Sequence, residues 1–213
     1  MLDRFLLGHR ALIVVAAILA LFAAGTGCSN GTSPATPIAG PTLAPPGTPT
    51  NLPILSVTST SFTSGGSIPF AQALTGCGNT GTAQNLSTDI AWTAGPSGTA
   101  SYELTEFDTD APTGVGFWHW TIFNIPPTVT SLALNAAATP PAGSIQGYND
   151  YGFSGYGGPC PPVGDPPHHY YFTVSALNSM LSGVTASATG AFLTFNTDGK
   201  IIAQGQLLGR YGR

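Results

Sequence analysis

Two adjacent histidines and a tyrosine stand at the end of a loop that is rich in glycine and proline. The loop spans residues 155–170 and delivers His168, His169 and Tyr170 into an aromatic, β-branched run that continues to Val174. Proline makes such a loop rigid, and glycine allows its tight turns. Ring nitrogens and a phenol that a rigid loop presents at a strand start can bind a small ligand.

Asp108 and Asp110 close a predicted strand that ends at Phe107. Residues two apart on a strand share a face, so both carboxylates could point in the same direction. The alternative is a turn in which an aspartate side chain caps the strand end. The two residues by themselves favour this alternative.

His119 lies among large rings, between Trp118 and Trp120. On an alternating strand it faces away from both tryptophans. A lone histidine in such surroundings is most often a core residue. An aspartate beside its ring would instead favour the imidazolium, which can donate to a phosphate oxygen.

His168 and His169 are neighbours, so in an extended segment only one of them can line the same pocket as His119. A mixed site of His119, His168 and one aspartate would suit a metal ion. The chain contains no H-E-x-x-H or C-x-x-C motif, and we expect neither a metal nor a cofactor. The G-x-S-x-G elbow, the P-loop and the dinucleotide fingerprint are absent as well, which argues against a hydrolase.

Strands must position these residues, and the sequence patterns have mostly a period of two. A helical pattern is weak and is confined to residues 185–195. We expect a mainly β domain built as a sandwich of two antiparallel sheets, with one or two short helices. The predicted strands are 54–58, 90–93, 101–107, 118–125, 170–177 and 200–208.

Residues 1–27 are typical of an export signal. Arg4 and Arg10 flank the start of an unbroken apolar run over 11–24, which is shorter than the roughly 20 residues of a membrane-spanning helix. Small residues then precede Cys28, as in the lipobox of bacterial lipoproteins, where this cysteine would be lipidated. An ordinary secretory signal with an incidental cysteine is the alternative.

Residues 28–51 are rich in Pro, Thr, Gly and Ala and are predicted to form a disordered tether. Residues 52–213 are expected to form one domain. The protein is therefore expected on the extracytoplasmic side of the cell membrane, held there by a lipid anchor.

Charged residues are scarce. Residues 1–27 carry two arginines and one aspartate, so their removal would change the net charge from −4 to −5. The basic residues that remain are Lys200, Arg210 and Arg213. So few cations cannot neutralise many phosphates, which excludes nucleic acid as a partner.

Cys77 and Cys160 both lie in glycine-rich segments of the predicted domain. An even number of cysteines in an exported domain favours a disulfide. Two free thiols are the alternative.

Taken together, these segments resemble the phosphatidylethanolamine-binding protein family, in its bacterial Raf-kinase-inhibitor-like branch. The resemblance covers residues from about 55 to the C-terminus. The matching motifs are D-T-D-A-P at 108–112, W-H-W at 118–120, N-I-P at 124–126, Q-G-Y-N-D at 146–150, G-Y-G-G-P-C-P-P at 155–162, P-H-H-Y at 167–170 and G-R-Y-G at 209–212.

The resemblance implies a β-sandwich with a small surface pocket that binds phosphate-like anions without catalysis. In the implied pocket both histidines donate to the anion, an aspartate orients one of them, and a glycine amide approaches the ligand. Tyr156 is expected at the rim, and His169 replaces a family arginine that normally forms an ion pair behind the pocket. The implied ligand-binding residues are Asp108, Asp110, Pro112, His119, Tyr156, Gly158, His168 and Tyr170.

The expected ligand is a phosphorylated head group or a phosphopeptide. The alternative is a regulator of another protein, such as a kinase or peptidase inhibitor, that uses the pocket rim as its interface.

Overall fold

A computed structural model describes residues 51–77 and 82–213 of the chain. The predicted signal peptide, Cys28 and all of the predicted tether except its last residue lie outside the described residues. No helix within the described ranges has both the length and the apolar character needed to cross a membrane.

The described part of the chain forms two antiparallel sheets, as predicted. The strands are β1 (Val57–Thr58), β2 (Ile90–Trp92), β3 (Ser101–Asp108), β4 (Phe117–Ile125), β5 (Ser131–Leu132), β6 (Ile145–Gln146), β7 (His168–Leu177) and β8 (Ile201–Tyr211). The smaller sheet has the order β1-β2-β5, and the larger sheet has the order β6-β4-β3-β7-β8.

The predicted strands are all present, with shifted ends. β5 and β6 were not predicted, because two residues are too few to show a period. The helix α1 (Gly190–Thr197) begins later than the predicted range 185–195, because Thr189 is its N-cap and accepts a hydrogen bond from the Phe192 amide at 3.3 Å. A single 3₁₀ turn forms at Phe70–Gln72.

The larger sheet is covered on both faces. Side chains such as Leu104, Ile122 and Val174 point between the two sheets and are fully buried. A second cluster, which includes Phe123 and Leu193, lies on the opposite face beneath α1. Each such side chain stabilises the fold by about 1.5–3 kcal/mol, so the strand ends that carry the site are firmly held.

A β-bulge in β4 determines where His119 points. Glu106 of β3 pairs with Trp120, whereas the next residue, Phe107, pairs with Trp118. His119 is thus the extra residue of the bulge, and alternation is interrupted there. Trp118 packs on Phe107 at the outer face, with ring centroids 4.6 Å apart, while His119 and Trp120 both lie on the inner side. The prediction that His119 faces away from both tryptophans is therefore wrong for Trp120.

Candidate functional site

A small cavity opens where the end of β3 lies beside the starts of β4 and β7. Asp108, His119 and His168 converge on it, one from each strand, and we call it the histidine cavity. Its volume is about 180 Å³, smaller than the roughly 300–1,000 Å³ of sites for drug-sized molecules. The described ranges contain no group of three or more His, Cys, Asp or Glu side chains that could hold a metal ion.

The two carboxylate oxygens of Asp108 have different partners. Oδ1 accepts the backbone N–H groups of Asp110 at 2.8 Å and of Ala111 at 3.2 Å. Oδ2 accepts the Nδ1 proton of His168 at 2.8 Å and lies 4.0 Å from Nε2 of His119. Asp108 was interpreted either as a cap of the turn or as a carboxylate that orients a histidine. In the structure it does both.

Of the two cavity histidines, His168 is the one whose surroundings favour the charged form. Burial lowers its pKa, but the hydrogen bond to Asp108 and the charges of neighbouring carboxylates outweigh burial, so the pKa is raised above 6.5. Nδ1 donates to Asp108. Nε2 lies 3.5 Å from a carboxylate oxygen of Asp165, which is partly exposed, and it is the nitrogen that can donate to a ligand.

His119 is neutral at neutral pH. Its Nδ1 lies 2.7 Å from the carbonyl oxygen of Gly157, and a carbonyl only accepts, so Nδ1 carries the proton. Burial lowers the pKa of His119 below 6.5, and the attraction of Asp108 and the backbone hydrogen bonds offset this only in part. Nε2 therefore presents a lone pair and accepts a proton rather than donating one.

The structure brings four of the eight predicted binding residues to the cavity wall: Asp108, Pro112, His119 and His168. The other four predicted residues do not line the cavity: Asp110, Tyr156, Gly158 and Tyr170.

Asp110 lies beyond the end of β3, so it need not share a face with Asp108. Its Oδ2 accepts both the backbone N–H and the Nδ1 proton of His169 at 2.6 Å. The family resemblance implies an arginine at position 169 that forms an ion pair. In this chain His169 takes that position and pairs with Asp110.

Tyr156 and Gly158 have structural partners in place of a ligand. Tyr156 is 4% exposed, donates its hydroxyl to the Gln72 carbonyl at 2.8 Å and packs on Trp120, so its expected place at the rim is wrong. The Gly158 amide donates to Oδ1 of Asn85 at 2.7 Å. A Cβ at Gly158 would lie 2.0 Å from the Gln72 carbonyl oxygen, so glycine is required for packing rather than for ligand access.

Tyr170 packs against His119 from the interior of the protein. It is completely buried, and its ring centroid lies 5.1 Å from that of His119. Burial raises the pKa of Tyr170, and the Asp108 carboxylate and the nearby Glu106 carboxyl group raise it further, so the hydroxyl stays protonated. It lies close enough to Asp108 to interact with it but forms no well-aligned hydrogen bond.

Tyr151 lines the cavity but was not predicted from the sequence. Its ring packs on Phe117 and His119 at centroid distances of 4.6 and 5.5 Å, and its hydroxyl donates to the Gly158 carbonyl at 3.0 Å. Its position directly after the Q-G-Y-N-D motif is the signal that could have identified it.

Glu106 was also missed. It lies two residues before Asp108 on the same face of β3, it is completely buried, and neither carboxyl oxygen has a hydrogen-bond partner. Burial raises the pKa of Glu106 well above 4.5, and the Asp108 carboxylate raises it further, so Glu106 is a neutral acid at neutral pH. A glutamate on an alternating strand ordinarily indicates exposure, so the sequence gives no warning of this burial.

The predicted disulfide between Cys77 and Cys160 is present, with Cα atoms 5.7 Å apart, and Cys160 forms part of the cavity wall. Arg213 holds the same region by donating Nε to the Pro161 carbonyl and Nη1 to the Cys77 carbonyl. The loop that ends at His168 is thus fixed covalently and by hydrogen bonds.

The family model described as phosphatidylethanolamine-binding protein matches residues 58–212 of this chain. The chain belongs to the phosphatidylethanolamine-binding protein family. The UPF0098 protein YbcL of Escherichia coli K12 is 40% identical over 155 residues, which cover 71% of this chain and 84% of YbcL. A UPF0098 protein of Aquifex aeolicus is 37% identical over 161 residues, covering 75% and 90% of the two chains.

Solved structures of phosphatidylethanolamine-binding proteins agree with the fold. The crystal structure of Escherichia coli YbcL has a TM-score of 0.69 and 37% identity, and it covers 75% of this chain and 98% of its own. A homologue from Chlamydia trachomatis has a TM-score of 0.64 and 32% identity with the same coverage. The family resemblance and the predicted fold class are confirmed.

Proposed function

We propose that this member of the phosphatidylethanolamine-binding protein family binds a small phosphate-like anion in the histidine cavity and catalyses no reaction. The observation that carries the proposal is a buried carboxylate shared unequally by two histidines. Asp108 bonds His168 directly and lies 4.0 Å from His119. One ring is thereby charged, and the other retains an open site for a proton.

The anion is bound together with a proton. The charges of His168 and Asp108 cancel, so the unliganded cavity attracts an anion only weakly. A bound phosphate raises the proton affinity of His119, which then donates from Nε2 to a phosphate oxygen. Alternatively, a protonated phosphate donates to the Nε2 lone pair. Either way the complex holds one proton more than neutral His119 and the phosphate dianion hold together, so affinity falls as pH rises.

The cavity wall supports binding without catalysis. The Thr113 hydroxyl donates to the Gly116 carbonyl at 2.6 Å, and the Cys160 sulfur is held in the disulfide. Neither group is placed as a nucleophile beside a histidine base. A volume of about 180 Å³ suits a phosphorylated head group and is too small for acyl chains.

The first test is the melting temperature of the full chain with inorganic phosphate or O-phosphorylethanolamine in millimolar excess. Each ligand should raise it by a few degrees, because binding stabilises only the folded state. His119→Ala should abolish the rise, whereas His169→Ala, a matched change outside the cavity, should retain it. The absence of a rise with both ligands, or its survival in His119→Ala, would refute the proposed site.

Isothermal titration calorimetry in buffers of different ionisation enthalpy measures the proton directly. We expect proton uptake of up to one per phosphate bound at pH 7.5, and tighter binding at pH 6 than at pH 8. Phosphate binding with no proton exchange, and with equal affinity at both pH values, would contradict the role given to His119.

We also propose that the domain works outside the cytoplasm, anchored through lipidated Cys28. The support is the pattern of residues 1–28 and the disulfide, which forms in oxidising compartments. Mass spectrometry of the membrane fraction should find a diacylglyceryl group on Cys28, and Cys28→Ser should release the protein from that fraction. An unmodified cysteine in a soluble product would overturn the anchor.

A second candidate function, regulation of another protein, is favoured by two apolar side chains beside the cavity. Val115 and Val163 are 75% and 77% exposed, and they sit in the two loops that flank it. A partner that covers the rim would bury both. Val115→Asp with Val163→Asp should then block partner binding while leaving the phosphate-induced stabilisation intact.

A further inference from the structure

A second cavity lies beside the first. Its volume is about 370 Å³, and the loop that ends at His168 contributes to both: Pro161 and Pro162 line the histidine cavity, whereas Asp165 lines the second one. We call the second one the arginine cavity. The residues used in the argument below are Ser67, Phe70, Asp165, Arg210, Tyr211 and Arg213.

Backbone pairing fixes the wall of the arginine cavity. Ser67 forms a parallel bridge with Arg210, near the end of β8. The Ile68 amide donates to the Arg210 carbonyl at 2.8 Å, and the Arg210 amide donates to the Gly66 carbonyl at 2.9 Å. The cavity is therefore formed by ordered backbone on both sides.

The arginine cavity is lined by two of the few positively charged side chains of this protein. Of the Lys and Arg residues in the described ranges, only Lys200 lies elsewhere. The described ion pairs all involve histidines, and neither Arg210 nor Arg213 has a carboxylate partner in the part of the chain that the structure describes. Arg213 donates to the neutral carbonyls of Cys77 and Pro161. Among the described side chains, both guanidinium groups are thus without an ion-pair partner.

One carboxylate also lines this cavity and opposes an anion there. Oδ2 of Asp165 lies 3.5 Å from Nε2 of His168, whose pKa is raised in part by this contact, but the charge of His168 is already shared with Asp108. Two guanidinium groups and one carboxylate therefore leave a formal net charge of +1 among the side chains that line the arginine cavity.

The wall also includes two aromatic rings. Phe70 and Tyr211 have ring centroids 6.3 Å apart. A planar guanidinium fork matches the oxygens of phosphate or carboxylate, and aromatic rings pack on an apolar body. The combination fits an oxyanion attached to an aromatic or aliphatic group better than a free inorganic ion.

We propose that the arginine cavity is a second oxyanion site, separate from the histidine cavity, which takes a phosphate or carboxylate carried on an apolar body. Arg210, which is exposed, makes the charge-assisted contact with the ligand, and Arg213 adds its charge from a fixed position. The proposal does not depend on ligand binding at His119 and His168.

Phenyl phosphate is a suitable probe, used at low ionic strength because salt weakens exposed contacts. In the full chain labelled with ¹⁵N-arginine, the Nε–H signals of Arg210 and Arg213 should shift saturably at millimolar concentration. Arg210→Gln should weaken binding about tenfold. The matched charge control Lys200→Gln, at the opposite end of β8, should bind as the unaltered protein does. Arg213 is left unchanged because it holds the Cys77 and Pro161 carbonyls.

Two further measurements distinguish the arginine cavity from the histidine cavity, and a carboxylate ligand from a phosphate ligand. His119→Ala should retain the arginine signals' response, even though its histidine cavity is altered; loss of the response would show one shared site and overturn the proposal. Benzoate compared with phenyl phosphate tells whether carboxylate or phosphate is preferred. No saturable shift with either probe, or equal affinity in Arg210→Gln, would also overturn it.

Discussion

The chain contains two aspartate–histidine pairs, close in sequence, whose surroundings differ. The distance from Nδ1 to Oδ2 is 2.8 Å for His168–Asp108 and 2.6 Å for His169–Asp110. The side chains of the first pair are 5% and 3% exposed, and those of the second are 32% and 28% exposed. Successive residues of β7 face opposite sides, so the same chemistry gives a candidate binding site on one side and a half-exposed ion pair on the other.

The comparison shows that solvent, rather than residue type, decides what such a pair contributes. An exposed ion pair stabilises a protein by about 0–1 kcal/mol. Removing one partner of a buried pair costs about 3–5 kcal/mol, because a charge is left without compensation in the interior.

The largest expected effect is therefore at Asp108. Asp108→Asn should lower the free energy of unfolding by about 3–5 kcal/mol, since it leaves protonated His168 without its counter-charge. Asp110→Asn should cost about 1 kcal/mol or less. Urea denaturation at pH 6.5 measures both. Similar losses for the two variants would mean that burial does not distinguish the pairs.

Glu106 sharpens the comparison, because it is a buried carboxyl on the face of Asp108 with no histidine partner. Its folded pKa is raised above 4.5, so the folded state keeps a proton that the unfolded state releases, and stability declines as pH rises above 4.5. Glu106→Gln should remove this decline, which for a carboxyl that stays neutral amounts to about 1.4 kcal/mol per pH unit, or about 4 kcal/mol between pH 5 and pH 8. Denaturation curves at pH 5 and pH 8 test this: a variant with the same pH dependence as the unaltered protein would show that Glu106 is already ionised.

A third prediction concerns the two histidines that share Asp108. The raised pKa of His168 means that its contribution is complete below about pH 6.5 and is lost as pH rises through the folded pKa. The lowered pKa of His119 has the opposite effect, so its contribution is complete above about pH 6.5 and is lost as pH falls. NMR titration of the ring protons should place the midpoints on opposite sides of 6.5; midpoints on one side would contradict the assigned charges.

The smallest effect is expected at His169. Replacing it with arginine places a guanidinium beside Asp110 at a partly exposed position, so His169→Arg should change stability by less than about 1 kcal/mol. Phosphate affinity, measured by calorimetry, should change less than about twofold. A larger change would show that the outer pair influences the histidine cavity.

Local rules were sufficient to predict the long strands and the opposite facing of His168 and His169. The alternation of residues 101–107 predicts β3, and the long aromatic and β-branched run from residue 170 to residue 177 predicts β7, so both signals are strong. The two-residue strands β5 and β6 carry no such signal. The start of α1 depends on the cap at Thr189, and a run of weak helix formers does not specify it.

The site itself was only partly predictable, because long-range contacts determine it. The bulge at His119 depends on pairing with β3, and the ring is oriented by Gly157, which is 38 residues away. The burial of Tyr156 and the engagement of the Gly158 amide depend on the segment near Gln72 and Asn85. No pattern within the motifs encodes those neighbours.

The disulfide has a consequence for the unfolded chain as well as for the cavity wall. Cys77 and Cys160 are 83 residues apart, and the loop they close contains Asp108 and His119 but leaves His168 outside. Closing so long a loop removes conformational freedom from the unfolded state, which corresponds to about 4.5 kcal/mol of stability in the chain-entropy model. The bond thus favours assembly of the site by restricting the conformations that compete with it, beyond any contact that it makes in the folded protein.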